Sequence, residues 1–256
     1  MKTLSVANQK GGAGKSTLAA HLAAMDAGHR VLLVDMDSRG FLSLTFPPAQ
    51  NPAQGMVSSS LFSKDAGAGG MPEAVNEKLP IIRADNGLLS VGKHGNGNGS
   101  IRLPKIALRQ FSGGFDTCLA DTPPLLGIRL LAALAASNSV ATPVSAGLYE
   151  LAGVAKLVET IRVVRGQGYN PGLRHLGILP MKTNTRNTHE NRAMAALRGR
   201  YHDAVLPETL AREGGRQECR GHGEPVMVSH QGRRRLLAAK EWRTACKTII
   251  GRLSDE

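Results

Sequence analysis

Short apolar runs and helical patterns alternate along this chain from its first residues. Thr3–Ala7 reads as a strand, the glycine-rich stretch after it as a loop, and Lys15–Ala27 as a helix that Gly28 would end. Val31-Leu32-Leu33-Val34 is apolar at every position, the pattern of a strand buried on both faces. Further buried strands are expected at Leu79–Arg83, Thr117–Ala120, Ser139–Pro143 and Leu176–Leu179. Helical patterns cover Ile101–Gln110, Gly127–Ala136, Leu148–Arg165, Arg186–Arg200 and Arg233–Leu253. This alternation implies an α/β fold: a doubly wound, mostly parallel sheet with helices on both faces. The 256 residues suffice for one such domain spanning the whole chain, with no second domain required. Pro47–Gly70 and His94–Ser100, rich in Gly, Pro, Ser, Ala or Asn, read as surface excursions rather than linkers.

Composition adds a compartment and a polarity. No apolar h-region follows Met1-Lys2, so no secretory signal is read there. The most apolar stretch, Leu125–Ala136, is interrupted by Arg129 and is too short to span a bilayer. Cys118, Cys219 and Cys246 are widely separated, with neither metal-ligand spacing nor a disulfide framework, and point to reduced thiols in a cytosolic protein. The formal net charge is +12 and is unevenly placed. Residues 1–128 hold 12 Lys and Arg against 9 Asp and Glu; residues 129–256 hold 20 against 11. A C-terminal half this basic points to a polyanionic partner, either nucleic acid or an acidic membrane surface.

The candidate chemistry begins after the first strand, at Lys10-Gly11-Gly12-Ala13-Gly14-Lys15-Ser16-Thr17. A strand, a Gly-rich loop and a helix in that order form a phosphate cradle. Gly11, Gly12 and Gly14 let the backbone wrap with its N–H groups inward, and the helix N-terminus favours the anion. Lys15 can reach the β- and γ-phosphates, and the Ser16 hydroxyl can ligate Mg²⁺. Two carboxylates stand where strands end: Asp37 in Val34-Asp35-Met36-Asp37-Ser38-Arg39-Gly40, and Asp121 in Ala120-Asp121-Thr122-Pro123-Pro124. Taken alone, an Asp after a strand can equally be a helix cap.

The ordinary pattern has Gly where this chain has Gln9, with Lys10 next. The run from Lys10 to Ser16 resembles the deviant Walker A box of the ParA/MinD family of P-loop ATPases. The two carboxylate segments are similar to that family's switch I and switch II. Closest are short plasmid partition ParA proteins of the IncC-like kind. The resemblance implies ATP with Mg²⁺ and a nucleotide-dependent homodimer in which Lys10 reaches the partner's phosphates. Asp37 would orient the attacking water or support Mg²⁺, Asp121 would hold Mg²⁺ directly or through water, and Thr122-Pro123-Pro124 would sense the γ-phosphate. Lys10, Lys15 and Asp37 are thus the implied catalytic residues. The loop from Gly11 to Thr17, with Lys182 and Pro207 beside the adenine, would hold the nucleotide. Departures from the family are Ser38-Arg39, where Pro-Gln is usual, and the segment Ala211–Gly223.

The same resemblance implies non-specific DNA binding, a ParB-class centromere-binding partner that stimulates hydrolysis, and a cytoplasmic, nucleoid-associated protein without stable membrane insertion. Arg192, Arg198 and Arg200 lie on or at the end of one predicted helix; Arg233, Arg234, Arg235, Lys240, Arg243, Lys247 and Arg252 lie along the last. Cations with almost no interleaved aromatics suit phosphate contacts on duplex DNA better than single-strand stacking. Arg198, Arg200, Arg233, Arg234, Arg235, Lys240 and Arg243 are the DNA-binding candidates. Leu236, Trp242, Ile249, Ile250 and Leu253 give the last helix an apolar side, which packs on the sheet or, in a MinD-like reading, lies on a membrane. A third reading, motivated by Ser38-Arg39, is a nucleotide-binding regulator with negligible hydrolysis.

Overall fold

A computed structural model describes residues 1–26, 28–48, 55–65, 70–92, 97–145, 147, 150–184, 186–211 and 233–255. Among these residues seven strands form one sheet: β1 (Lys2–Val6), β2 (Val31–Asp35), β3 (Glu73–Asn76), β4 (Leu79–Ile82), β5 (Thr117–Asp121), β6 (Ser139–Ser145) and β7 (Arg174–Met181). Their order is β3-β4-β2-β5-β1-β6-β7, and every neighbouring pair is parallel except β3 with β4. Successive side chains of a strand point to opposite faces, and in β2 both faces are covered. Val31 and Leu33 join one core with α1 (Lys15–Met25) and α7 (Arg233–Ser254). Leu32 and Val34 join another with α3 (Gly97–Arg109) and α4 (Ile128–Ala136). The doubly wound, mostly parallel sheet expected from the apolar runs is therefore present.

The differences have local causes. The first helix stops at Met25, before Ala27 and Gly28, because Asp26 leaves the helical region with its N–H on Leu22 and its carboxylate 2.7 Å from His29 Nδ1. The glycine-rich stretch His94–Ser100 is helical from Gly97 onward, and residues 93–96 lie outside the described residues. Within Pro47–Gly70, a 3-10 turn at Ser58–Phe62 buries Leu61, and Met56 is buried beside it; this part belongs to the core rather than to the surface. The antiparallel edge strand β3 and the short helix α2 (Phe41–Thr45) were not read from the sequence. The helix read from Leu148 is described from Glu150 as α5 (Glu150–Gly166). α6 (Thr188–Tyr201) starts after Arg186, where the Asn187 side chain accepts from the N–H groups of His189 and Glu190.

The end of α7 is packed, not free. Trp242, Ala245, Cys246, Ile249 and Leu253 are buried in the same core as α1, and the Arg252 guanidinium donates to the Leu176 carbonyl at 2.6 Å. Leu236, expected on that apolar side, is exposed. No helix among the described residues is long and apolar enough to cross a membrane.

Candidate functional site

The site forms where β1, β2 and β5 end side by side. Val6 pairs with Asp121, and Asp35 pairs with Asp121 on the other side. The sheet order reverses here, with β5 on one side of β1 and β6 on the other. Such a switch point opens a crevice at the carboxyl ends of the strands.

The loop from Lys10 to Ser16 crosses the end of β1 into α1. Gly14 begins α1 in the left-handed region, at φ 92°, and a Cβ there would sit 2.7 Å from Met181 Cε. Only glycine meets both demands without strain. Ala13 and Lys15 are buried, whereas Gly11 and Gly12 are exposed at the mouth. Lys15 Nζ donates to the Lys10 carbonyl at 3.1 Å. Burial pulls the Lys15 ammonium below its usual range, opposed by the charges of Asp121 and Asp37. Thr17 continues into α1, and its carbonyl lies 2.8 Å from His21 Nδ1.

Asp121 is fully buried, and its Oδ2 accepts the Ser16 hydroxyl. Burial, then the nearby Asp35, pushes its carboxyl up to about 7. Its Oδ1 is buried with no partner. Thr122 is also buried, donating to the Val6 carbonyl at 2.9 Å. Asp35, given no role by the sequence reading, organises switch I. It accepts the Asp37 N–H at 3.1 Å and both the N–H and the hydroxyl of Ser43, at 2.9 and 2.8 Å. Asp37 is nearly buried, and both its oxygens face the Arg39 guanidinium at 2.6–3.2 Å.

These residues fit a Mg²⁺ ion carried with phosphates. Three carboxylates, Asp35, Asp37 and Asp121, meet two cations, Lys15 and Arg39, in one crevice. Asp35 and Asp37 are satisfied by protein donors, and the orphaned buried Oδ1 of Asp121 is the oxygen that a cation beside Ser16 would satisfy. Among the described residues there is no cluster of three His, Cys, Asp or Glu able to hold a metal. Mg²⁺ is commonly held that way, by one or two protein groups plus phosphates and water. Of the implied metal set, Ser16 and Asp121 are in contact, while Asp37 is turned to Arg39.

The two residues expected beside adenine part company. Lys182 has a left-handed backbone, φ 56°, and its Nζ donates to the Gly12 carbonyl at 2.8 Å, which ties it to the phosphate loop. Strained backbone of this kind collects at ligand sites. Pro207 lies on a segment laid along β7, with Leu206 N–H on the Ile178 carbonyl and Leu210 N–H on the Pro180 carbonyl. The Pro207 carbonyl accepts from Arg198, and no described hydrogen bond joins it to the loop. The divergent segment Ala211–Gly223 lies outside the described residues from position 212 on.

The basic candidates also separate. Arg200, Lys240, Arg243 and Lys247 are exposed. Arg198 is exposed as well and donates to the carbonyls of Leu206 and Pro207, at 3.3 and 3.5 Å, whereas Arg252 is spent on β7. The side chains of Arg233, Arg234 and Arg235 lie outside what is described; their backbone opens α7.

A family model described as an AAA domain matches residues 1–175. Protein IncC of Escherichia coli is 33% identical over 232 residues, covering 88% of this chain and 63% of IncC. The chain thus spans less than two thirds of that relative's length. The chromosome partitioning protein ParA of Myxococcus xanthus is 31% identical over 231 residues, covering 89% of this chain and 81% of ParA. Cobyrinic acid a,c-diamide synthase of Mycobacterium smegmatis, solved with an ATP analog and magnesium, matches with a TM-score of 0.78 at 26% identity, covering 100% of this chain and 96% of the enzyme.

Proposed function

Because this chain belongs to the ParA/MinD family of P-loop ATPases, we propose that it is a ParA-type partition ATPase. It binds ATP with Mg²⁺, closes into a homodimer, binds DNA without sequence preference, and leaves the DNA on hydrolysis. A ParB-class centromere-binding protein stimulates that hydrolysis. The observation that carries this reading is the convergence of Lys15, Ser16, Asp37 and Asp121 on one crevice behind Lys10.

Lys15 holds the terminal phosphates from inside the loop, and the N–H groups of Gly11 to Ser16 wrap them. Ser16 and Asp121 would hold Mg²⁺, which would supply positive charge to the terminal phosphates. Asp37 positions the attacking water. Lys10 of each protomer neutralises charge on the other's phosphates, a role comparable to an arginine finger, worth roughly 10³–10⁵ in rate in other P-loop enzymes. Lys182 closes the loop at Gly12. The exposed cations Arg200, Lys240 and Arg243 supply phosphate contacts on DNA.

The MinD-like alternative needs a free apolar face on the last helix, and Trp242, Ile249 and Leu253 are instead in the core. The regulator with negligible hydrolysis is favoured by one observation, the Arg39 guanidinium on both oxygens of Asp37. Steady-state ATP turnover with DNA and a ParB-class protein separates it from the ATPase reading. Turnover that vanishes in Asp37→Ala is expected; turnover indifferent to that change contradicts the assignment of Asp37.

A further inference from the structure

The chain places arginine at the second residue after Asp37, and the local backbone folds it back. The Gly40 N–H donates to the Asp37 carbonyl at 2.8 Å, closing a turn over 37–40, with Gly40 in the left-handed region at φ 65°. The Arg39 N–H donates to Asp37 Oδ1 at 3.2 Å, so the carboxylate also caps its own turn. The guanidinium then lies along the carboxylate. Nε reaches Oδ1 at 3.2 Å and Oδ2 at 3.0 Å, and Nη2 reaches Oδ2 at 2.6 Å. Beneath it the Phe41 ring sits 5.2 Å from the guanidinium carbon. While the pair is closed, ring and turn orient the plane of the fork along the carboxylate.

This pairing consumes one edge of the fork and leaves the other. Guanidinium carries five N–H donors, and Nη1 makes no hydrogen bond with the described residues. Nη1 is the atom nearest to where a Cβ on Gly11 would stand, 3.9 Å away. The unused edge therefore overlooks the phosphate loop. Asp37 is only 4% exposed, whereas Arg39 is 43% exposed, so the guanidinium has open space beside it and the carboxylate is enclosed.

We propose that Arg39 is a positioning residue that latches Asp37 and is released from it by the terminal phosphate of a bound nucleoside triphosphate. The inference rests on reading the crevice as an ATPase site with Asp37 positioning water. While both carboxylate oxygens accept from Arg39, Asp37 cannot also hold a water in line with a phosphate. A γ-phosphate in the loop offers the guanidinium a doubly charged acceptor, and the bidentate Arg–phosphate pair competes on equal terms with the Arg–carboxylate one. A diphosphate ends short of that position and leaves the latch closed. Glutamine, usual in relatives of this family, offers neither the charge nor the fork, so this chain carries a restraint on hydrolysis that a glutamine would not impose.

The test compares wild type, Arg39→Gln and Arg39→Lys in single-turnover and steady-state ATP hydrolysis, with affinities for ADP and a non-hydrolysable ATP analogue measured by calorimetry with Mg²⁺. Arg39→Gln should raise kcat about tenfold, the effect of one lost charge-assisted hydrogen bond. It should also cut the preference for the triphosphate over ADP by a similar factor. Arg39→Lys, which keeps the charge without the fork, should raise kcat likewise while retaining most of that preference. A fall in kcat, or an unchanged kcat and preference in both variants, overturns the latch. Asp37→Ala distinguishes the two readings. If it leaves wild-type turnover untouched, the site assignment fails. If it abolishes turnover while Arg39→Gln does not raise it, only the latch fails.

Discussion

Asp121 is the residue whose environment conflicts most with its chemistry. It is fully buried, close to Asp35, and has an oxygen without a partner. Its folded-state value of about 7 lies above the unfolded value of 3.8. As pH rises through that window the unfolded chain ionises while the native carboxyl resists, so stability falls. Asp121→Asn removes this cost and keeps an acceptor for Ser16. The nucleotide-free variant should therefore be more stable than wild type by about 1–3 kcal/mol in urea at about pH 8, with Mg²⁺-dependent nucleotide binding lost. A variant destabilised at that pH would show that the buried Asp121 carboxylate does not carry this cost. At this scale the sequence marks Lys15, Ser16 and Asp121 as candidates, because phosphate and metal chemistry allow few residue types at those spacings, and the fold brings the three together. The sequence is uninformative about Asp35, whose role depends on Ser43 lying within reach, eight residues on, across a turn. The position of the Arg39 side chain likewise depends on a turn closed by Gly40.

Strands with apolar runs were legible, the edge strand β7 among them, whereas the short, half-exposed edge strand β3 was not. β2 is apolar at four consecutive positions and is fully buried. β3 alternates half-buried and exposed residues over only four positions behind Pro72, a pattern indistinguishable from a polar loop. The α1–α7 pair carries the clearest prediction at this scale. His21 of α1 stacks on Trp242 of α7, with ring centroids 3.8 Å apart and 16° between planes. Burial lowers His21 from 6.5 to about 4. On acidification the unfolded chain takes up a proton that native His21 refuses, so stability falls as pH drops below the unfolded value and continues to fall toward the folded one. Relative to His21→Phe, which keeps an aromatic stack, wild type should lose about 2 kcal/mol between about pH 7.5 and about pH 5, measured by urea unfolding. Trp242 is the sole tryptophan, so its fluorescence reports this contact directly.

Across the molecule, the charge excess lies in the C-terminal half, but the structure divides it. Arg252 is half-buried and tied to the Leu176 carbonyl, whereas Lys240 and Arg243 are exposed on α7. Composition could not make this division, because a guanidinium that anchors a strand and one that meets a phosphate are the same residue in a sequence. The double variant Lys240→Glu/Arg243→Glu should weaken DNA binding and reduce the slope of log affinity against log salt by about 2. Arg252→Ala, which removes the donor to the Leu176 carbonyl, should leave that slope unchanged and lower thermal stability instead.

In the proposed function the phosphate loop controls a DNA-binding surface elsewhere on the molecule. The most direct test of this control is fluorescence anisotropy with duplex DNA of unrelated sequences, in ATP–Mg²⁺, ADP–Mg²⁺ and no nucleotide, across a salt series, for wild type and Lys15→Ala. Tight binding is expected only with ATP–Mg²⁺, falling steeply with salt and lost in Lys15→Ala. DNA binding that is indifferent to nucleotide, or that persists unchanged in Lys15→Ala, would contradict that control.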